Sequence, residues 1–433
     1  MNEKLEQVRQ ITKKYGQEQL ISEYERLKSE EEKENFLNEI LSIDFKQVEE
    51  IYKNKDKKVD FNNSRIEPID YVDKSKLSKE EYEEYEKIGT KEIKEGKLAV
   101  VTMAGGQGTR LGHSGPKGTF DLGLDSHKSI FEILTNTMTE AKNKYKINIP
   151  WYIMTSEENN DDTKKFFEDN NYFGYPKEYV TFFKQGKLPM CDLNGKILIN
   201  EKHHIKQASD GHGGIFSSLK KSGMIYDMKA RKIEWVFICG VDNVLVKPVD
   251  PIVIGLAVKN KVLAVGKSIE KANPSEKVGV FCKRNGKPSV VEYSEISKEM
   301  AEKRDEDGNL VFGESHILCN LFNIKAIEKI SELKLPYHVA FKKAQFLDEN
   351  GNLIEKPSKP NAYKFEAFLF DAFESLDNIA ILRVKREEEF APVKNAEGVD
   401  SPETARKLYI DYYNKKNIKN KFININIKNM LNR

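Results

Sequence analysis

Over roughly the first 90 residues, apolar positions are sparse and recur at helical spacing, with charged residues filling the gaps. The stretch "SKLSKEEYEEYEKIGTKEIKEGK" is a charged amphipathic helix in this reading. Ser78 and Glu81 stand as its capping pair, and it lies solvated over a core formed elsewhere. From Lys97 the pattern changes. Short apolar runs, "KLAVVTM", "PWYIMTS", "YVTFFKQG", "EWVFICGVDN" and "KVLAVGKSI", read as strands. They alternate with helical stretches such as "SIFEILTNTMTEAKNKY" and "DTKKFFEDNNYF". Such alternation predicts an α/β sheet with much parallel pairing. Asn-Gly and related turns in "MCDLNGKILI", "VGVFCKRNGKPSVVEY", "RDEDGNLVFGE" and "FLDENGNLIE" predict hairpins decorating that sheet. After Asn361, "YKFEAFLFDAFESL" reads as a helix and "IAILRVKREEEFAPV" as a strand running into a loop. The Lys/Asn-rich tail from about 401 reads as mostly helical.

Composition narrows the function classes. Acidic and basic residues nearly balance, at a formal net charge of +2, which argues against a nucleic-acid binder. The four cysteines, Cys191, Cys239, Cys282 and Cys319, are far apart and include no CxxC pair. A zinc site or a disulfide framework is therefore not expected. No apolar run approaches the ~20 residues that span a bilayer, and the N-terminus lacks the apolar centre of a signal peptide. A cytoplasmic protein without membrane or nucleic-acid partners is expected.

The stretch with most chemistry is "LAVVTMAGGQGTRLGHSGPKGTFDLGL". Gly105, Gly106 and Gly108 follow a strand, and such loops turn backbone N–H groups onto anions. A Walker A loop needs Gly-Lys-Ser/Thr opening a helix, and Pro116-Lys117-Gly118 does not supply it. A dinucleotide fingerprint needs an acidic residue ending the next strand, where Thr155-Ser156 stands instead. A nucleoside-triphosphate loop fits best, with Arg110 and Lys117 neutralising phosphate charge.

The signature "AGGQGTRLGHSGPKG" resembles that of the UDP-sugar pyrophosphorylases, and most of all the eukaryotic-type UDP-N-acetylhexosamine enzymes. The resemblance runs from about Lys97 to Arg406 through "IPWYIMTS", "NYFG", "QGKLP", "VDNVLVKPVDP", "VGVFC", "VVEYSEIS", "KPNAYKFEAFLFD" and "EEFAPVKNAEG…SPETAR". It implies a central mixed, largely parallel, Rossmann-like nucleotidyltransferase sheet (GT-A-like) with hairpin decorations. It also implies uridylyl transfer from UTP to a sugar 1-phosphate, dependent on Mg²⁺, with Mn²⁺ the alternative. By the resemblance, Met103, Ala104, Gly105 and Gly106 hold the uridine, and Gln185 reads the uracil edge. Arg110, Lys117 and Lys394 act as catalytic cations. Asp242 is the metal ligand, Gly211 lies under the uridine, and Lys364 meets the phosphates. Glu292, Tyr293 and Asn320 contact the sugar.

His212 departs from the pattern, since acetylhexosamine enzymes typically carry asparagine there and a histidine between glycines resembles the UDP-glucose branch. N-acetylglucosamine 1-phosphate is thus the expected sugar and glucose 1-phosphate the alternative. A non-catalytic UDP-sugar sensor is a remote third reading. Three consecutive segments are expected: a helical region over 1–95, the nucleotide- and sugar-binding domain over 96–345, and a segment over 346–433 that carries phosphate-binding lysines. The last is shorter than in eukaryotic relatives, so an oligomerisation arm is expected to be missing.

Overall fold

The computed structural model describes residues 2–55 and 64–431. It divides into two compact units, each built from separated stretches of chain. One takes residues 61–185, 215–333 and 372–433; the other takes 1–60, 186–214 and 334–371. This division differs from the three consecutive segments expected, because strands that pair and helices that share a core are far apart in sequence.

The larger unit is organised by one sheet. Its main strands are β1 (Leu98–Met103), β2 (Trp151–Thr155), β3 (Val180–Lys184), β4 (Trp235–Gly240), β5 (Ala264–Glu270), β6 (Val280–Arg284), β7 (Lys287–Val291), β8 (Glu314–Asn323) and β9 (Ala380–Arg383). The order across the sheet is β9-β5-β8-β4-β1-β2-β3. β4, β1, β2 and β3 are mutually parallel. β8 enters antiparallel between β4 and β5, and β9 pairs parallel with β5. β1, β2 and β4 are buried at every position, as strands covered on both faces must be, which is why their sequences are unbroken apolar runs. Met103 lies level with Met154 and with Gly240. The carboxyl ends of β1, β2 and β4 therefore finish together at one edge, where ligands of open α/β sheets bind. The β6–β7 hairpin turns at Asn285-Gly286, both at positive φ, as a tight two-residue turn requires.

The helix Lys79–Lys94 carries the expected capping box: the Ser78 hydroxyl accepts from the Glu81 N–H, and the Glu81 carboxylate accepts from the Ser78 N–H. The tail forms one helix, Pro402–Leu431. No described helix is long and apolar enough to cross a membrane.

The smaller unit packs four N-terminal helices, Asn2–Lys14, Gln19–Arg26, Glu30–Leu41 and Phe45–Lys53, on a core that includes Leu20, Phe36, Leu37, Cys191 and Phe365. Its main hairpin pairs Tyr337–Lys342 with Ala362–Ala367. This corrects the helix expected over "YKFEAFLFDAFESL": the first part is a strand, followed by 3₁₀ turns over Leu369–Ser375. Ala362, Phe365 and Ala367 are buried while Lys364 and Glu366 are half-buried. Cross-strand packing of these residues overrides a helical spacing that was compatible with either state.

Candidate active site

The glycine loop leaves β1 and is tied down at once. The Ala104 N–H donates to Met154 O at 2.7 Å. Asn159 Nδ2 donates to Ala104 O at 2.9 Å, while Asn159 Oδ1 accepts from the Ser156 N–H at 2.8 Å. Gly105 sits so close to β3's end that a Cβ there would lie 2.5 Å from Gln185 Oε1. Gln185 itself is positioned by its N–H donating to Thr155 O at 2.7 Å. Met103, Ala104, Gly105, Gly106 and Gln185 thus occupy one corner of the sheet edge. Asn159, which fixes both sides of that corner, was missed; an asparagine four residues past a strand, in a polar run, gives no sequence signal.

The loop then folds round His113. A Cβ on Gly108 would stand 2.7 Å from that side chain, and His113 Nε2 bonds the Thr119 hydroxyl at 2.7 Å. The Lys117 N–H donates to Gly106 O at 3.0 Å, and Gly118 lies against the Phe131 ring, where a Cβ would meet it at 2.2 Å. These contacts bring Lys117 back beside the first glycines.

Asp242 stands two residues beyond β4. Its carbonyl accepts from the Val393 N–H at 2.9 Å, which draws in the strap that carries Lys394. Asn243 completes the tie. Its Nδ2 donates to Glu389 O at 2.8 Å, and its Oδ1 accepts from the Ala391 N–H at 2.9 Å and the Leu245 N–H at 3.1 Å. Further along the strap, the Glu389 carboxylate is gripped by buried cations. Lys267 Nζ reaches Asp250 Oδ2 at 2.9 Å and Glu389 Oε2 at 2.5 Å, and Lys74 Nζ reaches the same two carboxylates at 2.7 and 3.2 Å.

Burial pushes the Lys117 ammonium below the usual lysine range; Asp242 opposes this, while Lys394 and Arg110 add to it. The four groups are therefore electrostatic neighbours. Lys117, beside the first glycines, thus has two further cations and one carboxylate as neighbours, an arrangement that favours a polyanion. Asp400 offers Lys394 a carboxylate at 3.6 Å.

Glu292 follows β7, and a Cβ on Gly279 would meet its Oε1 at 2.9 Å. Tyr293 beside it is 47% exposed. Asn320 is fully buried within β8, and its amide lies against His316 Nε2 at 3.2–3.3 Å. It shores up the bulge between His316 and Asn320 and presents no open amide.

Three expected site residues belong to the smaller unit. Gly211 has φ +86°, and a Cβ there would meet Ala367 O at 2.3 Å, so only glycine fits. His212 Nδ1 accepts from the Leu369 N–H at 3.0 Å, which puts the proton of the neutral ring on Nε2. Its ring stacks on Phe368 at 5.3 Å. Lys364 pairs with Glu366 at 2.8 Å.

The family described as UTP–glucose-1-phosphate uridylyltransferase matches residues 42–429. Saccharomyces cerevisiae UDP-N-acetylglucosamine pyrophosphorylase is 37% identical over 405 residues, covering 91% of this chain and 84% of its own length. Arabidopsis thaliana UDP-N-acetylglucosamine diphosphorylase 2 is 37% identical over 92% of this chain and 82% of its own. Among solved structures, the Trypanosoma brucei UDP-N-acetylglucosamine pyrophosphorylase with an inhibitor superposes with a TM-score of 0.79 at 30% identity, covering 94% of this chain and 84% of that one. With the family match spanning most of its length and relatives similar over most of theirs, the chain belongs to the UTP–glucose-1-phosphate uridylyltransferase family.

Proposed function

We propose that this protein transfers a uridylyl group from UTP to a sugar 1-phosphate, releasing pyrophosphate, and that N-acetylglucosamine 1-phosphate is the preferred sugar. The observation that carries the reading is that Lys117, brought back beside Gly106 by its N–H bond to Gly106 O, has Asp242, Lys394 and Arg110 as electrostatic neighbours. A phosphate oxygen of the sugar phosphate attacks the α-phosphorus of UTP. The new P–O bond forms as the bond to the bridging oxygen breaks, and pyrophosphate leaves with the electron pair. The nucleophile is already an anion near neutral pH, so no general base is needed. Arg110, Lys117 and Lys394 hold the triphosphate and neutralise the charge that grows on the leaving oxygens. Gln185 pairs with the uracil edge, since its amide offers both donor and acceptor. Gly211 backs the uridine, Glu292 and Tyr293 meet the sugar, and Lys364 meets phosphate.

Asp242 is the natural holder of a divalent cation. Among the described residues no three His, Cys, Asp or Glu side chains gather as a cage. A single carboxylate suits Mg²⁺, or Mn²⁺ in its place, because such an ion takes its other oxygens from phosphate and water. When bound it would add positive charge at the phosphate oxygens. A cytoplasmic location is supported by four buried cysteines that are all free thiols.

Glucose 1-phosphate is the second reading, and His212 is the observation that favours it. Against it, an asparagine at this position offers the same pair of groups as the Nε2-protonated ring: an acceptor for the Leu369 N–H and a donor beyond it. Steady-state kinetics of Asp242→Asn and Lys117→Met test the proposal. Each should lower kcat at least 100-fold at saturating Mg²⁺ while the protein stays folded; activity within threefold of the unaltered protein in both would overturn it.

A further inference from the structure

Ser156 follows β2 and is 6% exposed. Its N–H is used, donating to Asn159 Oδ1, but its hydroxyl oxygen is buried and has no hydrogen-bond partner. The neighbouring Thr155 shows the contrast: its hydroxyl lies 2.9 Å from Asn160 Oδ1 and 3.2 Å from Phe183 O. A buried hydroxyl left unpaired destabilises the fold, and such a group in a folded protein calls for a use.

Its surroundings indicate the use. The position that a Cβ on Gly105 would occupy lies 2.5 Å from Gln185 Oε1, 3.4 Å from Ser156 N and 3.6 Å from Ser156 Cβ. Ser156 and Gln185 therefore flank the same glycine at the sheet edge. The base is the part of a nucleotide that Gln185 would read, and its carbonyl oxygens need donors. One glutamine amide, with its single NH₂ and single carbonyl, can serve the N3–H and one carbonyl of uracil at once, leaving the other. A serine side chain reaches new partners by one staggered step about χ1, and here no hydrogen bond holds it back.

We infer that Ser156 is a nucleotide-binding residue: on UTP binding its hydroxyl turns to donate to a uracil carbonyl oxygen. This rests on the assignment of Gln185 to the base. The orphaned hydroxyl makes the free protein less stable than it could be, and the nucleotide relieves that cost. One substitution then has opposite effects on stability and on binding.

The test is Ser156→Ala, which removes only the hydroxyl. The free protein should melt at a higher temperature. KM for UTP should rise about tenfold, the loss of one such bond being ~1.4 kcal/mol, with kcat and the KM for the sugar phosphate within twofold. In the unaltered protein, 2-thio-UTP or 4-thio-UTP should bind more weakly than UTP, because sulfur accepts poorly. In Ser156→Ala that penalty should shrink for one of the two. An unchanged UTP KM, a lowered melting temperature, or no change in penalty with either analogue would overturn the inference. Gln185→Ala separates this from the base assignment. If Gln185→Ala raises the UTP KM and Ser156→Ala does not, only the Ser156 inference fails. If Gln185→Ala leaves it unchanged, the base assignment fails with it.

Discussion

The buried ion cluster sets up a test of how the strap bearing Lys394 is held. Lys267 is 1% exposed and bonds both Asp250 and Glu389, which are themselves 6% and 3% exposed. Replacing it by methionine keeps much of the volume but leaves two buried carboxylates sharing Lys74. Breaking a buried pair from one side costs about 3–5 kcal/mol, because the remaining charge is uncompensated. The loss should sit at the upper end, since Asp250 also caps the helix Pro251–Asn260 through the Ile252 N–H. The two tryptophans, Trp151 and Trp235, lie in β2 and β4, so tryptophan fluorescence during urea unfolding reports on the sheet unit. Lys267→Met should move the midpoint far down. Adding Glu389→Gln should recover part of the loss, which marks a coupled pair. The pH dependence follows from the same cluster. The neighbouring lysines hold the Asp250 and Glu389 carboxyls low against the opposing effect of burial. Their contribution is present above the unfolded carboxylate range of about 4 and is lost as pH falls through the lower folded values. Burial would lower Lys267 and Lys74, but their carboxylate partners outweigh it and raise both. Their contribution is present below about 10.4 and is lost as pH rises through the higher folded values. A Lys267→Met protein within about 1 kcal/mol of the unaltered one, with no recovery in the double variant, would refute this reasoning.

Asn243→Ala removes two side-chain bonds between the Asp242 turn and the strap, those to Glu389 O and the Ala391 N–H; kcat should fall more than tenfold with UTP KM changed less, and an unaltered kcat would show that the strap holds without it. Gly105→Ala forces Gln185 Oε1 out of its place, so UTP KM should rise at least tenfold while the KM for the sugar phosphate holds. Lys117 sits below the usual lysine range, so kcat/KM for UTP should decline on the alkaline side at a pH below the ordinary value of about 10.4; the limb should disappear in Lys117→Arg. His212→Asn should retain the preference among sugar phosphates, because asparagine can keep the Leu369 bond; a switch of preferred sugar would make His212 a determinant in its own right.

The sheet was legible because its central strands are buried on both faces and so appear as unbroken apolar runs. The glycine loop was legible because its chemistry is local: Gly105 to Lys117 is a single short segment. What the sequence hid depends on distance along the chain. Lys267 reads as an ordinary lysine in a strand, and nothing near it announces Glu389 or Lys74. The smaller unit gathers Phe36, Cys191 and Phe365 from three separate stretches, so a linear division at 95 and 345 could not find it. The segment from Tyr363 failed for another reason. Its aromatic and apolar residues suit a helix or a strand, and the pairing with Tyr337–Lys342 decided the matter. Asn159 escaped notice because a hydrogen-bonding role leaves no pattern in a single sequence.

Pyrophosphate release, measured with UTP and Mg²⁺ against N-acetylglucosamine, N-acetylgalactosamine and glucose 1-phosphates in parallel, tests the central claim most directly. The account predicts the highest kcat/KM with N-acetylglucosamine 1-phosphate, and no release when either UTP or the sugar phosphate is omitted. Fastest release with glucose 1-phosphate would contradict the sugar assignment, and no release with any of them would contradict uridylyl transfer itself.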